Sequence, residues 1–146
     1  MNMSAEINLD HVLAEVRRIF EQYETALMNN DLAILDRCFW HGQSVVRFGT
    51  SENLYGIEAI RAFRSSRDTG VLKRSLFRTI ITTFGQSFAT TTTEFVRDDK
   101  TVGRQSQTWV RLQDGWRIVS AHVSLYDYPA ASHPGSRNSA SPNRES

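Results

Sequence analysis

The chain has 146 residues, of which 23% are charged, and its formal net charge is +1 at pH 7. The length fits a single domain, and a charge so close to zero excludes strong attraction to a nucleic-acid backbone or an anionic membrane. The only cysteine, Cys38, excludes an internal disulfide and a cysteine-clustered zinc site. We interpret Cys38 as a small buried filler at a helix end.

Apolar spacing predicts three helices in the first half of the chain, over residues 10–28, 31–39 and 57–63. Asp10 is the expected N-cap of the first helix, and Leu32 is among the residues expected on the inward side of the second. Residues 44–49 form a predicted strand in which Arg47 is embedded in apolar sequence. Asn53 and Tyr55 lie in the segment leading to the third helix, where they either form a pocket mouth or make the turn.

The second half of the chain is typical of long strands joined by short turns. Residues 72–84 and 87–96 are two of them, and residues 101–125 form two more around a turn with Asp114 and Gly115. Period-two alternation puts Gln105, Gln107 and Trp109 on one face, and Trp116, Ile118, Ser120 and His122 on one face of the last strand. Helices followed by hairpins predict an α+β fold with an antiparallel sheet. A strand face that grades from apolar to polar indicates a lined pocket, a wet face or a subunit contact.

The two ends of the sequence differ from its middle. The opening MNMSAEINLD lacks the apolar run of a signal peptide, and no later stretch is long enough to span a bilayer, so we expect a cytoplasmic protein. Residues 1–128 are the predicted single domain. Residues 129–146 contain all three prolines and almost no large apolar residue, which predicts a disordered tail. His133 in that tail is expected to be solvated rather than a metal ligand.

Several phrases in the sequence resemble known families. NDLAILDRCF, GIEAIRAF and DGWRIVSAHVSL are similar to SnoaL-like members of the nuclear transport factor 2-like superfamily. That resemblance implies a cone-shaped fold with N-terminal helices packed on a curved antiparallel sheet. FEQYETAL, VVRFG, ENLYGIEAIRAFR, RTIITTFG and GRQSQTWVRL more specifically resemble the AtzH-like group, also met as HpxZ of oxalurate catabolism. This second resemblance covers about residues 12–125.

The AtzH-like resemblance implies a decarboxylating amidohydrolase that converts 1,3-dicarboxyurea to allophanate in cyanuric acid breakdown. The tyrosine and arginine implicated in catalysis in that group fall on Tyr23 and Arg47. The first alternative is a non-catalytic protein of purine or oxalurate catabolism that binds a small metabolite or partners an amidase-signature enzyme. The second is an isomerase or dehydratase of the same superfamily, which would use Glu94 and His122.

The chemistry of Tyr23 and Arg47 suits such a substrate. Tyr23 lies in the apolar stripe of the first helix, so its hydroxyl either faces a cavity or binds a backbone carbonyl. Arg47 keeps its charge and requires either an acid, for which Glu94 is the obvious structural candidate, or an anionic ligand. In the expected mechanism Arg47 holds a carboxylate of a small anionic urea or amide, and Tyr23 donates a proton to the nitrogen that bears it.

Other polar and aromatic side chains are predicted to bind the substrate. Gln105 and Gln107 could offer amide groups to a urea, or could belong to a solvated face, and His122 could exchange protons or simply be hydrogen-bonded in place. Arg78 could bind an anion or cover the outside of the sheet. The full predicted set is Asn53, Tyr55, Arg78, Glu94, Gln105, Gln107, Trp109 and His122.

Two further expectations concern cofactors and assembly. The sequence contains no serine or cysteine nucleophile motif, no glycine-rich phosphate loop and no paired histidines at metal spacing, so we expect cofactor-free, metal-free catalysis. The alternating row Val119, Ala121 and Val123 predicts an apolar outer sheet face, and hence a homodimer or a dimer of dimers.

Overall fold

In the computed structural model, which describes residues 6–67, 72–98 and 100–127, three helices pack on one curved sheet of six strands. The predicted α+β class is therefore confirmed. The helices are α1 (Asp10–Asn29), α2 (Leu32–Cys38) and α3 (Ile57–Ser66). The strands are β1 (Val46–Phe48), β2 (Asn53–Tyr55), β3 (Ser75–Phe84), β4 (Phe88–Arg97), β5 (Thr101–Leu112) and β6 (Gly115–Leu125).

Helix α1 buries a continuous stripe against the sheet that includes Phe20, Tyr23 and Leu27. The residue that caps its start is Leu9, so the prediction that Asp10 caps the helix is wrong. Asp10 is instead the first helical residue, where a carboxylate favourably opposes the positive end of the helix dipole. Asn30 ends the helix in the left-handed conformation, which asparagine tolerates better than most residues.

Helix α2 follows directly and begins with a side-chain cap, since the Asp31 carboxylate accepts a hydrogen bond from the Ile34 backbone N–H at 3.3 Å. Cys38 at the other end is buried, as predicted, and burial raises the pKa of its thiol to about 11. Leu32 was expected to face inward but is 39% exposed, because it is the first helical residue and lies at the edge of the core.

The strand order is β2-β1-β6-β5-β4-β3. Every adjacent pair of strands is antiparallel except β1 and β6, which run parallel. The sheet is therefore not wholly antiparallel, contrary to the expectation from the sequence. The reason is that the chain leaves α2 along the edge of β6: Phe39 already pairs in parallel with Ile118, and Val46 then pairs with Ser120. The short strand β2, not predicted from sequence, pairs antiparallel with β1 and ends at Tyr55, just before α3.

A β-bulge at Val119 changes which residues of β6 face the helices. Trp109 pairs with Ile118, whereas its neighbour Thr108 pairs with Ser120, so Val119 is an extra residue that shifts the alternation by one. Trp116 and Ile118 are buried before the bulge, and Ala121 and Val123 are buried after it. The expected common face of Trp116, Ile118, Ser120 and His122 is therefore wrong, and so is the outer placement of Ala121 and Val123 from which a dimer was predicted.

The core lies between the helices and the concave face of the sheet. Tyr23 is its centre, with its ring edge-on to Phe39 at 6.3 Å and to Trp109 at 6.5 Å between ring centroids. No helix in the described part of the chain is both long and apolar enough to cross a bilayer. The predicted tail, residues 129–146, lies outside the described residues.

Candidate functional site

A small cavity of about 40 Å³ opens beside Tyr23, between the helices and the sheet. We call it the arginine cavity, because four of its lining residues are arginines. Leu27, Leu72 and Val123 supply its apolar lining. Its polar lining consists of Tyr23, Arg47, Arg67, Arg74, Arg97 and Gln105.

Tyr23 reaches the cavity from the buried stripe of α1 and is only 2% exposed. Its hydroxyl oxygen accepts a hydrogen bond from Arg64 Nη2 at 3.0 Å. The partner is thus a cationic donor rather than the backbone carbonyl that was the alternative expectation. Because a phenol can donate and accept at once, the hydroxyl proton of Tyr23 remains available to a ligand.

Arg64 is buried next to Tyr23, with 5% of its surface exposed. It lies over the rings of Tyr23 and Phe39, at 5.8 and 5.6 Å from their centroids. Within the described part of the chain, its Nε and Nη1 atoms have no hydrogen-bond partner and no carboxylate lies within ion-pair distance of it. Aromatic faces stabilise this cation in part, but they supply no negative charge.

Arg47 is held in the cavity wall by β1, where alternation turns it inward and leaves 7% of its surface exposed. Its acid is Glu52, with Nη1 to Oε2 at 3.0 Å, and its guanidinium carbon lies 5.3 Å from the centre of the Phe63 ring. Burial lowers the pKa of Arg47. Its Nε has no hydrogen-bond partner among the described residues, so a donor remains for a ligand.

Glu94, the acid considered as a structural partner for Arg47, does not pair with it. On β4 the buried residues Thr93 and Phe95 flank Glu94, so the Glu94 carboxylate points to the outer face of the sheet. There it lies 3.6 Å from Arg78 Nη1 and accepts a short hydrogen bond from the Tyr126 hydroxyl. Arg78 itself is exposed on that face.

A second buried ion pair joins Arg74 to Glu24 by two hydrogen bonds, Nε to Oε2 at 3.1 Å and Nη2 to Oε1 at 2.6 Å. Gln105 closes this network, since its Oε1 accepts from Arg74 at 2.7 Å and its Nε2 donates to Glu24 at 3.3 Å. Such a network is stable when buried because every charge in it is paired and hydrogen-bonded. Gln105 therefore lines the cavity with its amide group already engaged.

Arg67 and Arg97 are half-buried and lie at the rim of the arginine cavity. Arg67 donates to Asn30 Oδ1 at 3.1 Å. Burial, reinforced by repulsion from Arg64, lowers the pKa of Arg67 to about 10. Burial also lowers the pKa of Arg97, and Arg74 adds to the effect. Within the described ranges, neither arginine has a carboxylate in ion-pair distance.

The charges around Tyr23 do not balance. Five guanidinium groups surround it or line the cavity, those of Arg47, Arg64, Arg67, Arg74 and Arg97. Glu24 and Glu52 are the carboxylates of the described residues that pair with members of this group. Among the described residues, the cavity lining thus has an excess of two positive charges, and Arg64, which lies outside that lining, adds a third. Such an excess in a partly buried space favours an anionic ligand.

The remaining residues predicted to bind substrate fall into two other places. Gln107 and Trp109 are fully buried beneath Tyr23, where Gln107 Oε1 accepts from Trp109 Nε1 at 3.2 Å and from Thr91 at 3.0 Å. Asn53, Tyr55 and His122 lie on the outer side of the sheet, and the Phe48 ring contacts the rings of Tyr55 and His122 at centroid distances of 5.9 and 5.6 Å. The structure thus separates Asn53, Tyr55, Arg78, Glu94 and His122 from the cavity beside Tyr23.

Sequence reasoning missed several charged residues of the site. Arg64 and Glu24 carried a detectable signal, since each lies four residues after a buried apolar residue, Ile60 and Phe20 respectively, and so continues an inward helical stripe. Arg67 and Arg74 lie next to the ends of elements, where no periodicity assigns a face, whereas Arg97 continues the inward alternation of Thr93 and Phe95 along β4.

Comparison with known proteins identifies relatives along nearly the whole described chain. A protein of unknown function from Pectobacterium atrosepticum SCRI1043 is 52% identical, with a TM-score of 0.81 over 83% of this chain and 95% of that one. A cystatin-like fold protein from Burkholderia xenovorans LB400 is 46% identical, with a TM-score of 0.82 over 86% and 99%. A nuclear transport factor 2-like protein from Pseudomonas putida KT2440 shares only 14% identity, with a TM-score of 0.68 over 85% and 93%, and this likeness supports the fold alone.

No protein with a curated description matches the sequence. The family model described as AtzH-like matches residues 5–129, a range that contains both Tyr23 and Arg47. Because this match spans most of the sequence, the chain belongs to the AtzH-like family.

Proposed function

We propose that this protein binds a small carboxylated urea in the arginine cavity and removes one N-carboxylate from it, converting 1,3-dicarboxyurea to allophanate. The observation that carries the proposal is the excess of two positive charges, among the described residues, in the lining of a cavity beside a buried tyrosine hydroxyl whose proton is free to be donated. A dianionic substrate supplies the missing negative charge, and membership of the AtzH-like family supports the urea skeleton.

The proposed reaction requires one proton. Arg47 holds the departing carboxylate with the donors that Glu52 does not use. Tyr23 donates its proton to the nitrogen that bears this carboxylate, the nitrogen–carbon bond breaks with its electron pair remaining on nitrogen, and carbon dioxide leaves. Allophanate keeps the second carboxylate, and the tyrosinate recovers a proton from water.

The roles of the other arginines follow from their partners. Arg64 orients the Tyr23 hydroxyl by donating to its oxygen, so the phenolic proton points elsewhere. Arg67 and Arg97, which lack carboxylate partners in the described parts of the chain, would hold the carboxylate that is not lost. A cavity of about 40 Å³ is too small for the whole substrate. We therefore expect these two rim arginines to move apart on binding, because they are half-buried and weakly tied.

The direct test follows carbon dioxide and allophanate released from freshly prepared 1,3-dicarboxyurea, with the spontaneous decay subtracted. We expect a rate above the uncatalysed one that is proportional to protein concentration. Saturable binding of a slowly reacting dicarboxylate such as malonate, with no acceleration of dicarboxyurea decay, would favour the non-catalytic metabolite-binding alternative. Absence of both binding and acceleration would refute the proposal.

A further inference from the structure

A second cavity, of about 140 Å³, lies between α2 and α3 and shares no lining residue with the arginine cavity. We call it the α2–α3 pocket. Its apolar wall is formed by Leu32, Leu35 and Ile60. Apolar cavities of about this size in other proteins hold molecules as large as benzene. The α2–α3 pocket is therefore large enough for a ligand of about four to six heavy atoms.

The polar wall of this pocket contains one charge that is not neutralised. Asp36 is engaged by Arg61, with Nε to Oδ1 at 2.6 Å and Nη2 to Oδ2 at 3.2 Å, and His41 Nε2 lies 3.2 Å from the same carboxylate. Arg64, by contrast, has only 5% of its surface exposed and has no carboxylate partner in the described ranges. A buried charge of this kind is strongly destabilising unless an opposite charge joins it.

The hydrogen bonds of Arg64 leave two of its nitrogen atoms unused. Nη2 donates to the Tyr23 hydroxyl, whereas Nε and Nη1 make no hydrogen bond to any described residue. Nε and Nη1 do not share an edge of the guanidinium, so a carboxylate that accepts from two N–H groups at once pairs one of these nitrogens with Nη2, the atom that also serves Tyr23. A neutral acceptor such as a single hydroxyl cannot bind in this way. A ligand that fits this wall therefore carries one negative charge shared by two acceptor oxygens, and a short apolar group attached to them.

We propose that the α2–α3 pocket binds a short-chain aliphatic monocarboxylate of about four carbons. The carboxylate pairs with Arg64, and the hydrocarbon chain lies against Leu32, Leu35 and Ile60. Because Arg64 also holds the Tyr23 hydroxyl, an anion in this pocket competes with Tyr23 for the guanidinium. Occupancy of the pocket therefore changes the affinity of the arginine cavity for its own ligand, and the reverse holds by the same factor.

The binding test is a calorimetric titration of the full chain with acetate, propionate and butyrate at constant ionic strength. Each added methylene should tighten binding about fourfold until the pocket is filled. n-Butanol, which has the same chain without the charge, should bind far more weakly than butyrate. Equal affinities for acetate and butyrate, or for butyrate and butanol, would overturn the proposal.

Two leucine variants locate the site. Leu32 is 39% exposed at the edge of the α2–α3 pocket, so Leu32→Trp should block the pocket while leaving the fold intact, and should abolish butyrate binding. Leu125 is 43% exposed and does not line the pocket, so Leu125→Trp is the matched control and should bind butyrate like the wild type. Unchanged butyrate affinity in Leu32→Trp would overturn the proposal.

Two arginine variants separate this site from the arginine cavity. Arg64→Gln should lose the preference for butyrate over butanol, whereas Arg47→Gln should bind butyrate with wild-type affinity, because Arg47 lines only the other cavity. Loss of butyrate binding in Arg47→Gln would assign butyrate to the arginine cavity and overturn the proposal. None of these titrations depends on turnover of dicarboxyurea, so the proposed reaction can fail while this binding site stands.

Discussion

Arg64 Nη2 donates a hydrogen bond of 3.0 Å to the Tyr23 hydroxyl, joining two buried side chains that are 41 residues apart in the chain. In this bond the phenol oxygen of Tyr23 is the acceptor, so the phenol proton remains free for donation to a ligand. It also fixes the hydroxyl at the wall of a cavity that carries excess positive charge. This relationship makes Tyr23 suited to proton donation in a way that a core tyrosine bonded to a carbonyl would not be.

Tyr23→Phe should keep the fold and most of the substrate affinity but lower kcat by about a hundredfold or more, the usual contribution of a positioned proton donor. Only the hydroxyl is removed, and the ring contacts with Phe39 and Trp109 remain. Tyr55→Phe on the outer side of the sheet is the matched control and should retain full activity. Wild-type turnover in Tyr23→Phe would assign proton transfer to another group.

Arg47→Lys should mainly raise KM for a carboxylated urea. Lysine keeps the charge and can still reach Glu52, but it lacks the planar fork that holds a carboxylate by two hydrogen bonds. Arg78→Lys, at an exposed site on the outer face, is the control and should leave KM unchanged. An equal effect of the two substitutions would show that the binding depends on overall charge rather than on the arginine cavity.

Arg67→Gln should raise the melting temperature of the ligand-free protein and weaken binding of dicarboxylates, because it removes one of several mutually repelling cations. The pKa of Arg67 is lowered to about 10, so its charged form is disfavoured by folding. The destabilisation is therefore fully present at neutral pH and is relieved as the pH rises through about 10.

Thermal unfolding of Arg67→Gln should be measured at low and high salt, with the exposed Arg37→Gln as the control. The gain in melting temperature should shrink at high salt, since salt screens the repulsion. A lower melting temperature in Arg67→Gln than in Arg37→Gln at every salt concentration would contradict the prediction and give greater weight to the hydrogen bond from Arg67 to Asn30.

Asp36→Asn should lower the free energy of unfolding at pH 7 by on the order of 1 kcal/mol or less, since the carboxylate is partly exposed. The hydrogen bonds from Arg61 lower the pKa of Asp36, and the charge of His41 adds to this. A lowered carboxyl pKa contributes stability above the unfolded-state pKa, near about 4, and this stability is lost as the pH falls through the folded-state pKa.

Denaturant unfolding from pH 7 to pH 2 measures this effect in wild type and Asp36→Asn. The difference between the two should disappear at the acid end of the range. Asp114→Asn, at the exposed turn between β5 and β6, is the control and should change stability less. A difference that is independent of pH would indicate lost packing rather than a lost charge.

Cys38 should resist alkylation in the folded protein. Burial raises the pKa of its thiol to about 11, so at pH 8 the reactive thiolate is scarce as well as shielded. Labelling with iodoacetamide, followed by mass spectrometry, should be at least about a hundredfold slower than in guanidinium chloride. Rapid labelling under native conditions would show that the end of α2 opens readily.

The strand around Arg47 and its apolar surroundings could be predicted from sequence, because three residues of strand without a bulge keep their period, but alternation alone does not say which face of β1 is the inner one. His122 was assigned to the wrong face because the position of a bulge depends on pairing between β5 and β6, which the sequence of one strand does not encode. Arg74 escaped notice for a similar reason, since the carboxylate that pairs with it is 50 residues away.

The charged residues Glu24 and Arg64 show a different limit. Each continues an apolar helical stripe, but when a stripe is defined from sequence alone it is usually taken to end at the first charged residue. Only the packed structure shows that Glu24 is neutralised by Arg74 and that Arg64 lies over two aromatic rings. Apart from the short strand β2, the helices and strands could thus be predicted from local periodicity, whereas the electrostatics of the site arise from contacts between distant segments.

The single extra residue Val119 shifts the alternation of the residues that follow it in β6. Deletion of this one residue would leave the other residues of β6 on their present faces, because only the unpaired residue is lost. If β6 instead kept all its residues and paired with β5 without the bulge, strict alternation would turn Ser120 and His122 towards the helices and Ala121 and Val123 away from them. The imidazole of His122 would then replace an aliphatic wall beside the arginine cavity. Whether this scaffold presents an ionisable ring or an aliphatic side chain to its ligand is therefore decided by a single bulge in β6, with no change in the sequence of the strand.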